Sequence, residues 1–136
     1  DTKTITTTTS TNAAHGYTIK VYNPDFLRAS PSITIPDFSG TWSSPATWSG
    51  GQYGFGYTSD DTSVQGSNRF SGGTAFAAFS QSPPGDVVAD HTTAVDGSIG
   101  SVSSEHFTIT YKVAASTSQD ALYYQTSSIF IVTANY

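Results

Sequence analysis

Few side chains in this sequence can carry chemistry. Glu105 is the only glutamate, His15, His91 and His106 are the only histidines, and there is no cysteine. Thiolate metal sites and disulfides are therefore excluded. One glutamate cannot form a glutamate acid–base pair, and nothing in the spacing of the aspartates marks an aspartate pair. The chain has no Gly-x-Ser-x-Gly elbow and no glycine-rich phosphate loop. No two histidines stand at the i, i+2 or i, i+4 spacing that aims two imidazoles at one metal. The expectation is a protein that is not an enzyme and that carries no cofactor. Asp60-Asp61, and Asp86 with Asp90 and Asp96, could offer oxygen ligands to calcium, but they match no EF-hand loop. Aspartates in turns more commonly cap backbone N–H groups.

Recognition chemistry has better candidates. Trp42 and Trp48 are followed by Tyr53-Gly-Phe-Gly-Tyr57, in which Gly54 and Gly56 alternate with three aromatics. On a strand, Tyr53, Phe55 and Tyr57 share one face, because side chains alternate between faces. With Trp42 and Trp48 they suggest a stacking platform for sugar rings, as in carbohydrate-binding or adhesin modules with surface glycans as partners. The competing reading places the rings in the core, with the glycines admitting another backbone or ring at close range.

The other candidate is the N-terminal run, residues 1–11, with Thr2, Thr4, Ile5, Thr6, Thr7, Thr8 and Thr9. Threonine is β-branched and favours extended backbone. Ile5 is the only large apolar residue in the run. Such a strand cannot hold itself in place and must pair with an existing sheet. Two hosts are open: its own domain, or a neighbouring copy that receives it as a donor strand. In the second case Ile5 is expected to enter an apolar pocket.

The elements that must position these residues read as β-structure throughout. Tyr17, Ile19 and Val21 alternate with Thr18, Lys20 and Tyr22, and Phe107, Ile109, Tyr111 and Val113 alternate with Thr108, Thr110 and Lys112. Each is the pattern of a half-buried strand. Further strands are expected at 32–35, 52–58, 74–80 and 86–89. The run 128–136 is apolar on both faces, which predicts a central strand. Turn clusters separate them, among them Asn23-Pro24-Asp25, Ser71-Gly72-Gly73, Pro83-Pro84-Gly85 and Asp96-Gly97. No stretch shows helical periodicity. The reading is an all-β antiparallel sandwich, jelly-roll or Ig-like Greek key, of about seven to ten strands. It comprises an N-terminal extended strand at 1–11 and a sandwich domain at 12–136.

Composition narrows the setting. The 136 residues fit one domain. Charged residues are 11%, against about 25% in ordinary soluble domains. Serine and threonine replace them, with 21 of each. The formal net charge is −5, and the five cations Lys3, Lys20, Arg28, Arg69 and Lys112 are scattered, so no basic patch exists for nucleic acid. No window has the apolar length of a membrane span. The chain opens at Asp1 without Met, which suggests either a leader already removed or a piece of a longer chain.

Two segments resemble a known group of domains. Ser10-Thr-Asn-Ala-Ala-His-Gly-Tyr-Thr-Ile-Lys-Val21 is similar to the opening of secreted bacterial cell-surface β-sandwich domains. Tyr111-Lys-Val-Ala-Ala-Ser116, Gln119, Tyr124-Gln-Thr126 and Ile129-Phe-Ile-Val-Thr-Ala-Asn-Tyr136 resemble their close. The sequence departs from that pattern at Ala121-Leu122-Tyr123, where such domains tend to have Ala-Gly-x-Tyr. The resemblance is loosely to WxL-type and TasA-type fibre subunits. It implies an extracellular, cell-surface structural protein, a self-assembling fibre or pilus subunit whose partners are other copies of itself, and it carries no catalytic residues. Some adhesin and pilin domains also carry an isopeptide crosslink, and Lys20 with Asn135 would be the pair for one here.

Overall fold

A computed structural model describes residues 1–93 and 100–136. Asp96 and the expected turn at Asp96-Gly97 lie outside the described residues. Ten strands are present among them: β1 (Thr2–Thr11), β2 (Tyr17–Tyr22), β3 (Leu27–Ser30), β4 (Ile33–Ile35), β5 (Ala46–Thr47), β6 (Gly54–Ser59), β7 (Ala75–Phe76), β8 (Asp86–His91), β9 (Val102–Ala114) and β10 (Ile129–Ala134). The one helical element described is a short 3-10 turn, Val64–Gly66.

The protein is an all-β antiparallel sandwich. One sheet has the order β1-β9-β6 and the other β10-β2-β8, while β3-β4 and β5-β7 form two small ribbons. The alternation read from sequence decides which faces meet. Tyr17, Ile19 and Val21 of β2 are fully buried, and Ile109 of β9 is buried opposite them with Phe107, Tyr111 and Val113 packed alongside. Phe55 and Tyr57 of β6, Val87, Val88 and Ala89 of β8, and Phe70 and Phe79 from the intervening loops complete the core. Aromatic rings supply much of it, as a chain with few aliphatics requires.

Two expectations are corrected. The segment 74–80 forms only the two-residue β7, with one further bridge from Ala77 to Tyr57. More consequentially, β10 is not central. It pairs with β2 on one side and has no second partner strand among the described residues. Ile129 and Val132 stay exposed, at 38% and 58%. Apolar residues on both faces of a strand signal burial of both only when a layer covers each; here Phe130 packs against the core while Ile129 and Val132 are left uncovered.

Candidate functional site

The N-terminal run is built as an edge strand. β1 pairs antiparallel with β9 of its own chain, from Thr2 opposite Lys112 to Thr11 opposite Val102, with Ile5 opposite Ile109. Directly opposed residues of an antiparallel pair share a face. Lys3, Ile5, Thr7 and Thr9 therefore turn inward with Phe107, Ile109 and Tyr111, while Thr2, Thr4, Thr6 and Thr8 turn to solvent. Only Thr9 is buried; Ile5 is 42% exposed despite facing inward. The expected apolar pocket for Ile5 is thus only half made. The rest of the attachment is polar: Thr7 Oγ1 donates to the Phe107 carbonyl at 3.3 Å, and Thr8 Oγ1 meets His106 Nδ1 at 2.9 Å.

The open side of Ile5 has a counterpart in the other sheet. In β10, Phe130, Val132 and Ala134 stand opposite Val21, Ile19 and Tyr17, so they too face inward. Tyr17 of β2 reaches Glu105 of β9, which sets the two middle strands over each other, and β6 packs against β8 on one side. β1 and β10 consequently form the two lips of the opposite flank. Val132 on one lip is inward-facing and 58% exposed, and Ile5 on the other is inward-facing and 42% exposed. A cavity of about 500 Å³ is lined by Asp1 and Lys3 at the head of β1 together with Leu27, Tyr111, Val113 and Tyr124 among others.

The aromatic segment is not a sugar platform of five rings, because its members are divided among four places. Tyr57 is fully buried and Phe55 nearly so; Phe55 stacks on Phe79 at 5.1 Å, and Tyr57 lies 4.6 Å from the same ring. Trp42 is half-buried, donates Nε1–H to the Val87 carbonyl at 2.7 Å, and is covered by the Arg69 guanidinium at 3.8 Å. Trp48 stacks face to face on Phe38 at 4.2 Å, with the Lys112 ammonium 4.9 Å above its ring. Tyr53 alone stands free, 54% exposed and outside β6. The glycines explain the division. A Cβ on Gly54 would sit 2.9 Å from the Phe38 backbone, and one on Gly56 would sit 2.7 Å from the Ala77 carbonyl. Bare backbone at both positions lets a second layer of chain close over β6.

A buried polar cluster was not legible in the sequence. Glu105 accepts from the Tyr17 hydroxyl at 2.6 Å, and both its carboxylate oxygens lie 3.1 Å from His91 Nδ1. These residues come from three strands and clip the sheets together. Burial, then the hydrogen bond to Glu105, pushes the Tyr17 hydroxyl well above its ordinary range. Spacing could not bring them together, since 88 positions separate Tyr17 from Glu105. Asp61 and Asp90 are buried beside them as turn caps. Asp61 accepts from Ser63 N–H, Ser63 Oγ and Asp90 N–H, and Asp90 accepts from Gln65 N–H and the Thr92 hydroxyl. Asp60 accepts from Thr108 N–H, and Asp86 stands on β8. His15 lies in the β1–β2 connection, where its N–H donates to Asn135. Lys20 pairs with Ile131 of β10, whereas Asn135 lies beside Gly16. Four residues along a strand separate those positions by about 13 Å, so an isopeptide bond between them is ruled out.

The buried carboxyls set a pH dependence. Burial raises the Asp61 carboxyl above the usual carboxylate range, opposed by its hydrogen bonds from Ser63 and Asp90. Burial raises Asp86 and Asp37 too, opposed by Arg69 and Gln81 respectively. A carboxyl whose pKa is higher in the folded chain holds its proton more tightly there than in the unfolded chain. These groups therefore make stability fall as pH rises from about 4 through their folded values. The urea midpoint is expected to be higher at about pH 4.5 than at about pH 7.5. A midpoint that rises across that interval contradicts the assignment.

No protein-family model, no curated protein and no solved structure matches this chain.

Proposed function

We propose that the protein is a structural component of the outer cell surface, a self-assembling fibre or pilus subunit whose copies are linked by strand addition of β1. The observation that carries this reading is how little of β1 is buried: Ile5, its one large apolar side chain, is 42% exposed and lies outside the hydrophobic core, and Thr9 is its only buried residue. β1 is held by its ladder to β9 and by a few hydroxyl contacts. Ladder hydrogen bonds contribute about 0.5–1.5 kcal/mol each, and ordering a residue costs about 1–2 kcal/mol, so the two nearly cancel. If β1 of one copy lies on β9 of the next, every ladder bond is kept, and only the connection 12–16 has to rearrange. Exchange of an identical element between copies is for this reason a low-cost route to assembly.

The surface chemistry supports the same setting. A chain with 11% charged residues and 42 hydroxyl side chains, 21 Ser and 21 Thr, presents a neutral hydroxyl-rich exterior. The resemblance of both ends of the sequence to secreted cell-surface sandwiches points the same way. A glycan-binding role has only Tyr53 left as an exposed ring of its platform.

The absence of native cysteine makes the test clean. Thr4 and Thr110 are opposed across β1 and β9. Directly opposed residues lie within disulfide reach. Chains carrying only Thr4→Cys are mixed with chains carrying only Thr110→Cys and oxidised. Crosslinked pairs containing one of each are expected. If no mixed pair forms, while the double variant closes a disulfide within a single chain, β1 stays at home and strand addition is wrong.

A further inference from the structure

We infer that the flank between β1 and β10 is a second self-association surface, on which two copies sit side by side with β10 antiparallel to β10 and β1 antiparallel to β1. The inference concerns the same assembly as the reading above but does not require strand exchange.

Edge strands are ordinarily protected by charge, proline, a bulge or a cover. β10 has the sequence Ile129-Phe-Ile-Val-Thr-Ala134, without a charge or a proline, and its pairing with β2 runs without a register shift. Its outer edge has no partner strand among the described residues. β1 is likewise the terminal strand of its sheet; inward-facing Lys3 and the register shift between Thr9 and Thr11 guard its two ends, and the run from Thr4 to Thr9 between them has no charge, proline or shift. The flank also exposes side chains that belong to an interior. Val132 at 58% and Ile5 at 42% both point between the sheets, with half-buried Phe130 beside Val132.

The occupant must satisfy both lips together. A single extended peptide can pair with one free edge and leaves the other unpaired. A second copy presents two edges in two layers with the same separation, about 10 Å for packed sheets. A two-fold axis normal to the sheets brings β1 onto β1 and β10 onto β10, both antiparallel, and turns each three-stranded sheet into one of six. Ile5, Phe130 and Val132 of the two copies then close one continuous interior. Charge does not oppose the contact along most of its length: β10 and the run Thr4–Thr11 of β1 carry no charged side chain, and at the head of β1 the exposed Asp1 carboxylate stands 3.7 Å from Lys3 Nζ. Two copies also share the self-complementary composition that an isologous contact requires.

The size of the contact sets its strength. A flank about 10 Å deep and about 20 Å long, the length of a six-residue strand, buries a few hundred Å² per copy. That is well below the about 800 Å² per partner of a stable complex. The pair is therefore weak in isolation and gains strength when the contact repeats along a polymer.

The test uses the full chain with Thr4→Cys and Thr110→Cys closed as an intramolecular disulfide, so that β1 cannot exchange. Sedimentation from about 10 µM to about 1 mM is expected to show a monomer–dimer equilibrium in this range. Adding Val132→Lys is expected to weaken it at least about tenfold, with an unchanged far-ultraviolet spectrum, since each lysine would be driven into the closed interior beside its counterpart. Val132→Ser serves the same purpose if the lysine variant does not fold, with a smaller weakening. A disulfide-closed chain that stays monomeric at about 1 mM overturns the inference, as does a Val132 variant that folds and dimerises unchanged. Should mixed single-cysteine chains fail to crosslink while the closed chain dimerises, strand exchange falls and the flank contact stands.

Discussion

Tyr57→Ala is expected to remove about 3–5 kcal/mol of stability, the largest single-residue effect among the aromatic-segment rings. Tyr57 is fully buried in the middle of β6 and lies against Phe70 at 5.5 Å and Phe79 at 4.6 Å. Truncation leaves a cavity that these neighbours cannot fill, because β6 is pinned on its other face by the close approach of Phe38 and Ala77 to Gly54 and Gly56. A domain of this size has about 5–15 kcal/mol in total, so the variant stands near its unfolding threshold. With a urea m-value of about 1–3 kcal/mol/M, the midpoint should fall by more than about 1 M. Tyr53→Ala is the matched control. It deletes a ring of the same kind just outside β6, 54% exposed, and should change stability by less than about 0.5 kcal/mol. Equal effects at the two positions would mean that the segment is not divided between core and surface as described.

If β1 links the copies as proposed, deleting residues 1–11 is expected to abolish assembly while leaving residues 12–136 folded. The prediction follows from the two ways in which β1 is attached. Its side chains add little to the interior, since Thr9 alone is buried. Its backbone, by contrast, saturates the whole outer edge of β9 over nine paired positions. The truncated chain should therefore keep its β-rich far-ultraviolet spectrum and its cooperative melt, at a somewhat lower temperature. It should also bind a synthetic peptide of residues 1–11, because the vacated edge of β9 is the complementary template. Electron microscopy of the full-length and truncated proteins reads the assembly directly. Truncated chains that are unfolded would make β1 an obligatory part of its own domain. Truncated chains that form the same filaments would show that β1 does not link the copies.

The Tyr57 substitution and the deletion of residues 1–11 separate what β6 and β1 do. β6 carries the rings that make the domain cohere, and β1 carries backbone donors and acceptors with few apolar side chains. Strands of the second kind are suited to exchange, because their free energy resides in the ladder, which any copy of β9 can supply equally.

How much of this was legible in the sequence depends on the kind of information asked of it. Period-2 alternation at 17–22 and 107–113 placed β2 and β9 and named their buried faces, because the wet and dry sides of a strand differ in side-chain chemistry. Gly and Pro clusters placed the turns, because positive φ and preset φ belong to those residues. The absence of a 3.6 period excluded helices. Alternating glycines in 53–57 announced a close approach over β6, though not by which segment. The short strands β3 and β5 left no such trace, since four and two residues are too few to establish a period.

What the tertiary structure alone decided is lateral. Whether a strand is central or at an edge depends on backbone N–H and C=O groups, and these are the same in every residue but proline. Hydropathy therefore called for two covered faces on β10, while the ladder left it with one neighbour and with Val132 in the open. The same holds for β1, whose threonines specify an extended backbone but not the strand that receives it. The Tyr17–Glu105–His91 cluster is decided in the same way: three side chains from three strands meet because the sheets stack β2 over β9, a distance in space that no spacing along the chain encodes.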